Sequence, residues 1–223
     1  MSNKYFKPIE YKEKSKRLAY KGKRLQVEEI KYLNGEQVIY REHVKAGEGV
    51  AILPITKKNE VIMVQEPRTP INKIILALPA GMIEPNELPE DAAVRELEEE
   101  TGYLAGNIKL LREYYPSVGY SNEKIKIYLA TDLKKTQQHL DETEDINVIK
   151  LPLEEVIEML DKNEIITAST TMWIRQASMK WKHPAQPTTN AMICKADMCR
   201  LQQRMASTSS MARKYVNDSL KRT

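Results

Sequence analysis

Short apolar runs separated by polar turns fill residues 50–151, and they predict the strands of a buried sheet. The runs lie at 50–55, 61–65, 74–78, 108–115, 125–130 and 146–151. The first two flank a polar turn at 57–60, which predicts a hairpin. Because Pro67 and Pro70 cannot donate to a strand ladder, we predict a loop at 66–70.

A separate alternating pattern precedes these runs. Apolar and polar residues alternate across 24–40, and the pair Asn34-Gly35 in the middle is a strong hairpin signal. The lysine-rich residues 1–24 show little periodicity. A glycine-containing break at 47–49 then predicts a boundary, so that residues 1–46 form a small N-terminal β segment.

Helical patterns occur in three places. Residues 88–101 are mostly good helix formers and end before Gly102, which is typical of a helix stop. Apolar spacing predicts a second helix over 153–163, and residues 168–174 are a candidate for a last core helix. Strands and helices together predict an α+β fold, with its main domain at 47–181.

The last part of the chain differs in composition from the rest. Residues 166–223 carry ten Lys or Arg against two Asp or Glu, so the formal net charge of +4 comes from this end. We expect residues 182–223 to be a basic C-terminal tail that binds polyanions such as RNA weakly and without sequence specificity. The main domain itself is expected to bind no nucleic acid.

Cysteine content and hydropathy indicate the cellular compartment of the protein. The two cysteines, Cys194 and Cys199, lack metal-ligand spacing to histidine, which is typical of a cytosolic protein. No stretch resembles a membrane span, and the polar N-terminus lacks the apolar core of a signal peptide. We therefore expect a cytoplasmic protein without a membrane partner.

The helix predicted at 88–101 carries an unusual concentration of acid. Glu96, Glu99 and Glu100 are spaced to share one face, although like charges at that spacing repel. The interval 74–108 contains no lysine that would neutralise them. Hard divalent cations such as Mg2+ or Mn2+ prefer carboxylate oxygens, so the face predicts a metal site. A plain acidic surface helix is the alternative on charge alone.

Spacing makes the pattern more specific. Within GMIEPNELPEDAAVRELEEETGY, Gly81 is followed by Glu87, Arg95-Glu96-Leu97, Glu99-Glu100 and Gly102 at fixed intervals. The stretch resembles the Nudix box, with Tyr103 where the family more often has an aliphatic residue. The flanking stretches VAILPI, QEPRTP, LPAGMIE, PSVGYSNE and DETEDINVIKLPLEEV resemble the ADP-ribose pyrophosphatase branch of the Nudix hydrolases. This resemblance covers about residues 25–170.

The resemblance implies a fold, a reaction and a partner. The fold would be a Nudix α/β/α sandwich with a mixed sheet, preceded by the N-terminal β segment. The reaction would be metal-dependent hydrolysis of the pyrophosphate bond in ADP-ribose or another nucleoside diphosphate sugar, giving AMP and ribose 5-phosphate. In this branch the N-terminal segment swaps across a homodimer, and the hairpin at 24–40 resembles it.

The resemblance also assigns roles to residues of the box. Glu96 and Glu100, with Glu99 and the backbone carbonyl of Ala80, would hold the metal, and Arg95 would orient a box glutamate. A glutamate on a later loop acts as general base in this branch. Glu142 and Glu144 both match that position, and we favour Glu142, with a solvated acidic turn as the alternative.

Substrate contacts are predicted outside the box. They are Arg68 for phosphate or ribose, Arg41 and Glu42 reaching a partner's pocket, and Ser117 and Gly119 in the substrate loop. Tyr32, Tyr40 and Tyr120 are equal candidates to stack on adenine. Val118 stands where the branch often has proline, which leaves the choice of substrate open.

Two other functions remain compatible with the sequence. One is the same chemistry on a dinucleoside polyphosphate, an oxidised nucleotide or NADH. The other is a non-catalytic Nudix-fold nucleotide-binding module, which the repulsive glutamate face argues against because a pure binder has no need of it.

Overall fold

A computed structural model of the chain describes residues 10–23 and 25–182, with side chains as far as Ser178. Arg24, the tail at 183–223 and its cysteines Cys194 and Cys199 lie outside the described residues. The strands are β1 (Lys12–Lys21), β2 (Gln26–Asn34), β3 (Gln37–Lys45), β4 (Glu48–Pro54), β5 (Glu60–Arg68), β6 (Lys73–Ala77), β7 (Ala80–Met82), β8 (Tyr103–Leu104), β9 (Asn107–Tyr114), β10 (Lys124–Thr131), β11 (Lys134–Lys135) and β12 (Asn147–Pro152). The helices are α1 (Pro89–Thr101), α2 (Leu153–Asp161) and α3 (Ala168–Lys182), and Thr69–Ile71 form a short 3-10 turn.

The strands form four sheets of different size. The largest has the order β7-β4-β10-β9, in which β4 and β10 run parallel and the other pairs antiparallel. A second sheet, β12-β5-β6, is antiparallel throughout, and β8 pairs with β11. The N-terminal strands pair separately as β1-β2-β3. Mixed sheets with three helices confirm the α+β class.

Strand β4 carries the two halves of the core on its opposite faces. Val50 and Ile52 are fully buried with Ala92, Ala93 and Leu97 of α1. The alternate residues of β4 point the other way and join a larger cluster that includes Met63, Leu153 and Trp173. This period-two alternation places helices on both sides of the sheet, which is the predicted sandwich.

The N-terminal sheet contains one strand that the sequence did not predict. The hairpin β2-β3 has the predicted Asn34-Gly35 turn, and Gly35 adopts a positive φ of 61°. Strand β1 occupies the lysine-rich stretch in which the sequence showed little periodicity. All ten of its residues are exposed, so neither face imposed an apolar alternation that periodicity could detect.

The predicted loop at 66–70 was wrong in its first half. Strand β5 continues through Pro67 to Arg68, and Pro67 pairs with Ile74 of β6. Pairing with β12 ends at Gln65, so the strand has only one hydrogen-bonded neighbour beyond that point. Proline is tolerated where one side of a strand carries no ladder, and here that side is free.

No helix in the described ranges is both long and apolar enough to cross a lipid bilayer.

Candidate active site

Helix α1 is delimited by residues whose conformations suit its two ends. Pro89 occupies the first turn, together with the acidic residues Glu90 and Asp91, which suit the positive end of the helix dipole. Gly102 ends the helix in the left-handed region, and its N–H donates to the Glu98 carbonyl at 2.8 Å. A Cβ at Gly102 would lie 2.8 Å from the backbone nitrogen of Gln138, so the helix end requires glycine for space as well as conformation.

Glu100 is the most deeply placed acid of the helix. Its side chain accepts a hydrogen bond from the Ala80 backbone N–H at 3.0 Å, and the residue is 6% exposed. The pKa of Glu100 is raised to about 8, and burial is the largest cause. The Ala80 hydrogen bond opposes this rise, and the neighbouring charges of Glu96, Glu66 and Glu144 contribute to it. Several carboxyl groups therefore converge on one poorly solvated region.

Arg95 binds three acids of the box at once. Its Nε and Nη2 donate to the two oxygens of Glu87 at 2.8 and 3.0 Å, and Nη1 donates to Glu96 and Glu99 at 2.8 and 2.9 Å. The second Nη2 hydrogen bond goes to the Met82 carbonyl at 3.1 Å. All five N–H groups of the guanidinium thus have acceptors, and the contact with Glu87 raises the pKa of Arg95 most.

Glu96 lies directly over Gly81. Burial raises the pKa of Glu96, while Arg95 opposes the shift. A Cβ built on Gly81 would collide with the Glu96 carboxyl group. Gly81, at the start of the box, lies in strand β7 and pairs with Val50 of β4. Because glycine has no side chain, it makes room there for the Glu96 carboxylate from the helix. This gives a physical reason for the glycine in the box spacing.

The acids offer the donors that a hard divalent cation prefers, but they are not gathered as ligands. No three Asp, Glu, His or Cys side chains among the described residues already meet in metal-binding geometry. Glu96 and Glu99 turn to Arg95, and Glu100 turns to the Ala80 N–H. The carboxylate chemistry and the mutual repulsion of Glu96 and Glu100 nevertheless fit a cation.

The acidic loop after β11 brings one glutamate toward this region. The charge of Glu144 raises the pKa of Glu66, Glu96 and Glu100, although it is a secondary cause in each. Glu144 also closes a turn, in which its N–H donates to the Asp141 carbonyl at 3.0 Å. Glu142 lies in the same turn, between Asp141 and Glu144.

Arg68 lies at the end of β5, beside an acid that the sequence analysis missed. Its Nη2 donates to Glu66 at 2.5 Å, and half of the Arg68 side chain is exposed. Burial raises the pKa of Glu66. Glu66 belongs to the QEPRTP stretch, but only Arg68 of that stretch was assigned a role. The spacing of two residues between Glu66 and Arg68 along a strand is the signal that the two side chains share a face.

The loop at 115–123 is attached to the N-terminal sheet. Val44 of β3 donates to the Tyr120 carbonyl at 2.7 Å, and the Ala46 N–H donates to Asn122 Oδ1 at 2.9 Å. The Ser117 carbonyl accepts the Ser121 N–H at 3.0 Å. Gly119 faces open space, with no atom within 4 Å of a Cβ built there. Asn122 was not predicted, because a contact across 76 residues leaves no local pattern.

The remaining predicted substrate residues lie on the N-terminal strands. Arg41 and Glu42 are exposed on β3, and Arg41 Nη1 donates to the Tyr40 carbonyl at 2.8 Å. Neither residue hydrogen-bonds to a box residue. Tyr32 already packs against His43 at a centroid distance of 6.0 Å. Tyr40 and Tyr120 are more exposed, and Lys31 Nζ lies 5.2 Å from the centroid of the Tyr40 ring.

Comparisons with known proteins agree with this arrangement. The NUDIX domain model matches residues 45–174 of the 223. The chain is 35% identical over 184 residues to an ADP-ribose pyrophosphatase of Bacillus subtilis (strain 168), covering 81% of this chain and 99% of that protein. It is also 35% identical over 159 residues to a methanol dehydrogenase activator of Bacillus methanolicus, covering 70% of this chain and 85% of the other.

The fold has a solved counterpart. A structure described as an ADP compounds hydrolase superposes with a TM-score of 0.71 at 21% identity, covering 81% of this chain and all of the other. At that identity the likeness concerns the fold. The family match and the curated relatives decide membership, and with the box geometry they place the chain in the Nudix hydrolase family as a pyrophosphohydrolase of the ADP-ribose pyrophosphatase branch.

Proposed function

We propose that the protein hydrolyses the pyrophosphate bond of ADP-ribose or a related nucleoside diphosphate sugar in the presence of Mg2+ or Mn2+. Water adds to one phosphorus as the bridging bond breaks, so that ADP-ribose gives AMP and ribose 5-phosphate. The observation that carries the proposal is the buried Glu100, held by Ala80 beside Glu96 on the box helix. The names of the curated relatives support the substrate class.

The box residues would hold the cation. Glu96, Glu99, Glu100 and the Ala80 carbonyl offer hard oxygen ligands of the kind Mg2+ takes beside substrate phosphates. When bound, the ion would neutralise phosphate charge and acidify a water molecule. For Glu96 and Glu99 to reach it, Arg95 must release or share two of its hydrogen bonds. Its contacts with Glu87 and Met82 would keep the guanidinium in place meanwhile.

For the general base we now favour Glu144 over Glu142. A base must lie near the water that attacks, and the charge of Glu144 acts on Glu96 and Glu100, which would hold the metal. The Glu144→Gln and Glu142→Gln variants separate the two. We expect the first to lower kcat strongly and the second to leave it within about threefold.

Substrate contacts would come from β5, from the loop at 115–123 and from β3. Arg68 presents a half-exposed guanidinium suited to a phosphate. Ser117 and Gly119 lie in the loop that β3 attaches, and Arg41 and Glu42 lie on β3 itself. Of the two exposed tyrosines, Tyr120 remains the candidate to stack on adenine, because a second copy would cover Tyr40 in a dimer.

We also propose that the working unit is a homodimer in the cytoplasm. The N-terminal sheet exposes large apolar side chains on its outer strands, including Leu18, Tyr20 and Tyr40, which a second copy would cover. A sheet of this size depends on packing of its apolar face for stability. The low cysteine content suits a reducing compartment.

A substrate panel tests the reaction class and the alternatives together. The purified chain is incubated with ADP-ribose, GDP-mannose, NADH, diadenosine polyphosphate and an oxidised nucleotide, with Mg2+ and with EDTA, and the products are resolved by chromatography. We expect AMP and ribose 5-phosphate from ADP-ribose with Mg2+ only. Faster turnover of another compound would reassign the substrate, and binding without turnover of any compound would support the non-catalytic module.

A further inference from the structure

Glu66 lies on β5 just beyond the point where this strand stops pairing with β12. Pairing with β12 ends at Gln65, and beyond it β5 is hydrogen-bonded only to β6, where Glu66 pairs with Ile75. The Glu66 side chain is nonetheless only 13% exposed. Placing a carboxylate there costs desolvation energy, and a charged or hydrogen-bonding partner is needed to offset that cost.

The partner is Arg68, two residues along the strand. Nη2 of Arg68 donates to Glu66 Oε1 at 2.5 Å, and Glu66 is the one side chain in the described part of the chain that hydrogen-bonds this guanidinium. A guanidinium has five N–H donors, so most of those on Arg68 remain available to another anion. Arg95 differs, because all five of its donors are already used.

Other carboxylates lie near the Glu66–Arg68 pair. The charge of Glu66 acts on Glu100, and the charge of Glu144 acts on Glu66, so these acids lie within electrostatic range of the arginine's partner. An unrestrained guanidinium among carboxylates pairs readily with one of them in a bidentate contact. Such a contact would remove both the phosphate-binding group and a carboxylate from the site.

We infer that Glu66 is a positioning residue that fixes Arg68 toward the substrate's pyrophosphate and keeps it off the box carboxylates; this inference rests on the proposed function. One oxygen of Glu66 holds one N–H, and the exposed remainder of the guanidinium points to solvent, where a phosphate can reach it. Glu66 itself touches neither substrate nor cation. Its effect therefore passes through Arg68, and substrate binding is the property it controls.

A double-mutant cycle tests this role. Glu66→Ala is expected to raise KM for ADP-ribose, and Kd for ADP-ribose measured calorimetrically in EDTA, by roughly tenfold, with kcat within about threefold. Glu66→Gln keeps an amide oxygen as acceptor and should restore part of the affinity. In an Arg68→Ala background, Glu66→Ala should have no further effect on KM or Kd.

Glu60 provides a matched control for Glu66. Glu60 lies on the same strand and pairs with Lys150 at 3.5 Å, so Glu60→Ala should leave KM and Kd unchanged. The inference fails if Glu66→Ala leaves Kd unchanged, or if its effect persists fully without Arg68. If Glu66→Ala does not fold, the same cycle is read with Glu66→Gln. A wild-type chain that neither binds nor hydrolyses ADP-ribose would instead overturn the proposed function.

Discussion

The Ala80 backbone N–H donates to the Glu100 carboxylate at 3.0 Å, joining the start of the box to the end of its helix. Glu100→Gln keeps the shape and an acceptor oxygen but removes the negative charge. We expect kcat with Mg2+ to fall by at least ~10^2-fold, comparable to the loss of one key electrostatic stabiliser. Steady-state kinetics at saturating Mg2+ measure it.

The neighbouring Glu98 provides the control for that variant. Glu98 lies on the same helix at a variable position of the box, and it makes no hydrogen bond through its side chain within the described residues. Glu98→Gln should therefore retain wild-type kcat. Near-wild-type turnover of Glu100→Gln would contradict the assignment of the box as the metal site.

Much of this site follows from sequence because it is local. The box places Arg95, Glu96, Glu99 and Glu100 on one helix, where spacing alone determines which side chains are neighbours. The glycines at its ends follow from steric rules that act on the backbone itself. For the same reason the buried strands were predicted well, since continuous apolar runs report burial directly.

The parts that were not predicted depend on distant contacts or on solvent. Strand β1 is exposed on every residue, so its sequence carries no apolar alternation. Pro67 can lie within β5 because the neighbouring strand β12 no longer pairs with β5 at that point. No local sequence rule reports where a neighbouring strand stops pairing. Glu144 and Glu66 approach the box only through the arrangement of the sheets. Hydrophobic patterning does not indicate which of Glu142 and Glu144, two acids of the same loop, lies nearer to helix α1.

Gly81→Ala is predicted to impair catalysis more than folding. The added methyl would occupy the place of the Glu96 carboxyl, which is the far end of a flexible side chain and can move. Displacing it should lower kcat by about tenfold or more and weaken Mn2+ binding, while the free energy of unfolding changes by less than about 1 kcal/mol. Kinetics, a Mn2+ titration and urea unfolding measure the three. Large destabilisation with unchanged activity would disprove the steric argument.

The Glu48 ion pairs should contribute stability at neutral pH and lose it in acid. Glu48 begins β4 and pairs with Lys126 and Lys124 of the parallel strand β10, and the Lys126 contact is the largest cause that lowers the pKa of Glu48 from 4.5. A lowered carboxyl pKa stabilises the fold above the unfolded-state value, and the contribution is lost as pH falls through the folded-state value.

Glu48→Gln measures that contribution. At pH 7 we expect the variant to be about 0.5–1 kcal/mol less stable than wild type, a small value because the pairs are partly exposed. The difference should shrink as urea unfolding is repeated at falling pH, because Glu48 of the wild type becomes protonated as the pH passes below its lowered folded-state pKa. A difference that stays constant across the range would mean that the side chain acts through packing.

The proposed dimer can be tested at one exposed aromatic residue. Tyr40 lies on β3 with 65% of its surface exposed, and we expect a second copy to cover it. Tyr40→Asp would bury a charge in that interface, so light scattering should show the mass falling from two chains to one. Ile166→Asp, another exposed apolar site outside the N-terminal sheet, should leave the mass unchanged. A wild-type monomer with full activity at nanomolar concentration would rule the dimer out.

Asn122 should couple the N-terminal sheet to substrate binding. Its Oδ1 accepts the Ala46 N–H at 2.9 Å, and the adjacent Val44 N–H binds the Tyr120 carbonyl at 2.7 Å, so the substrate loop is held against the end of β3. Asn122→Ala removes the side-chain acceptor and frees the loop that carries Ser117 and Gly119. We expect KM for ADP-ribose to rise by roughly three- to tenfold with little change in kcat, because the proposed role of the loop is to bind substrate and not to take part in the chemistry. Asn122→Asp keeps the acceptor and should stay closer to wild type, and an equal rise in both variants would show that the hydrogen bond does not position the loop.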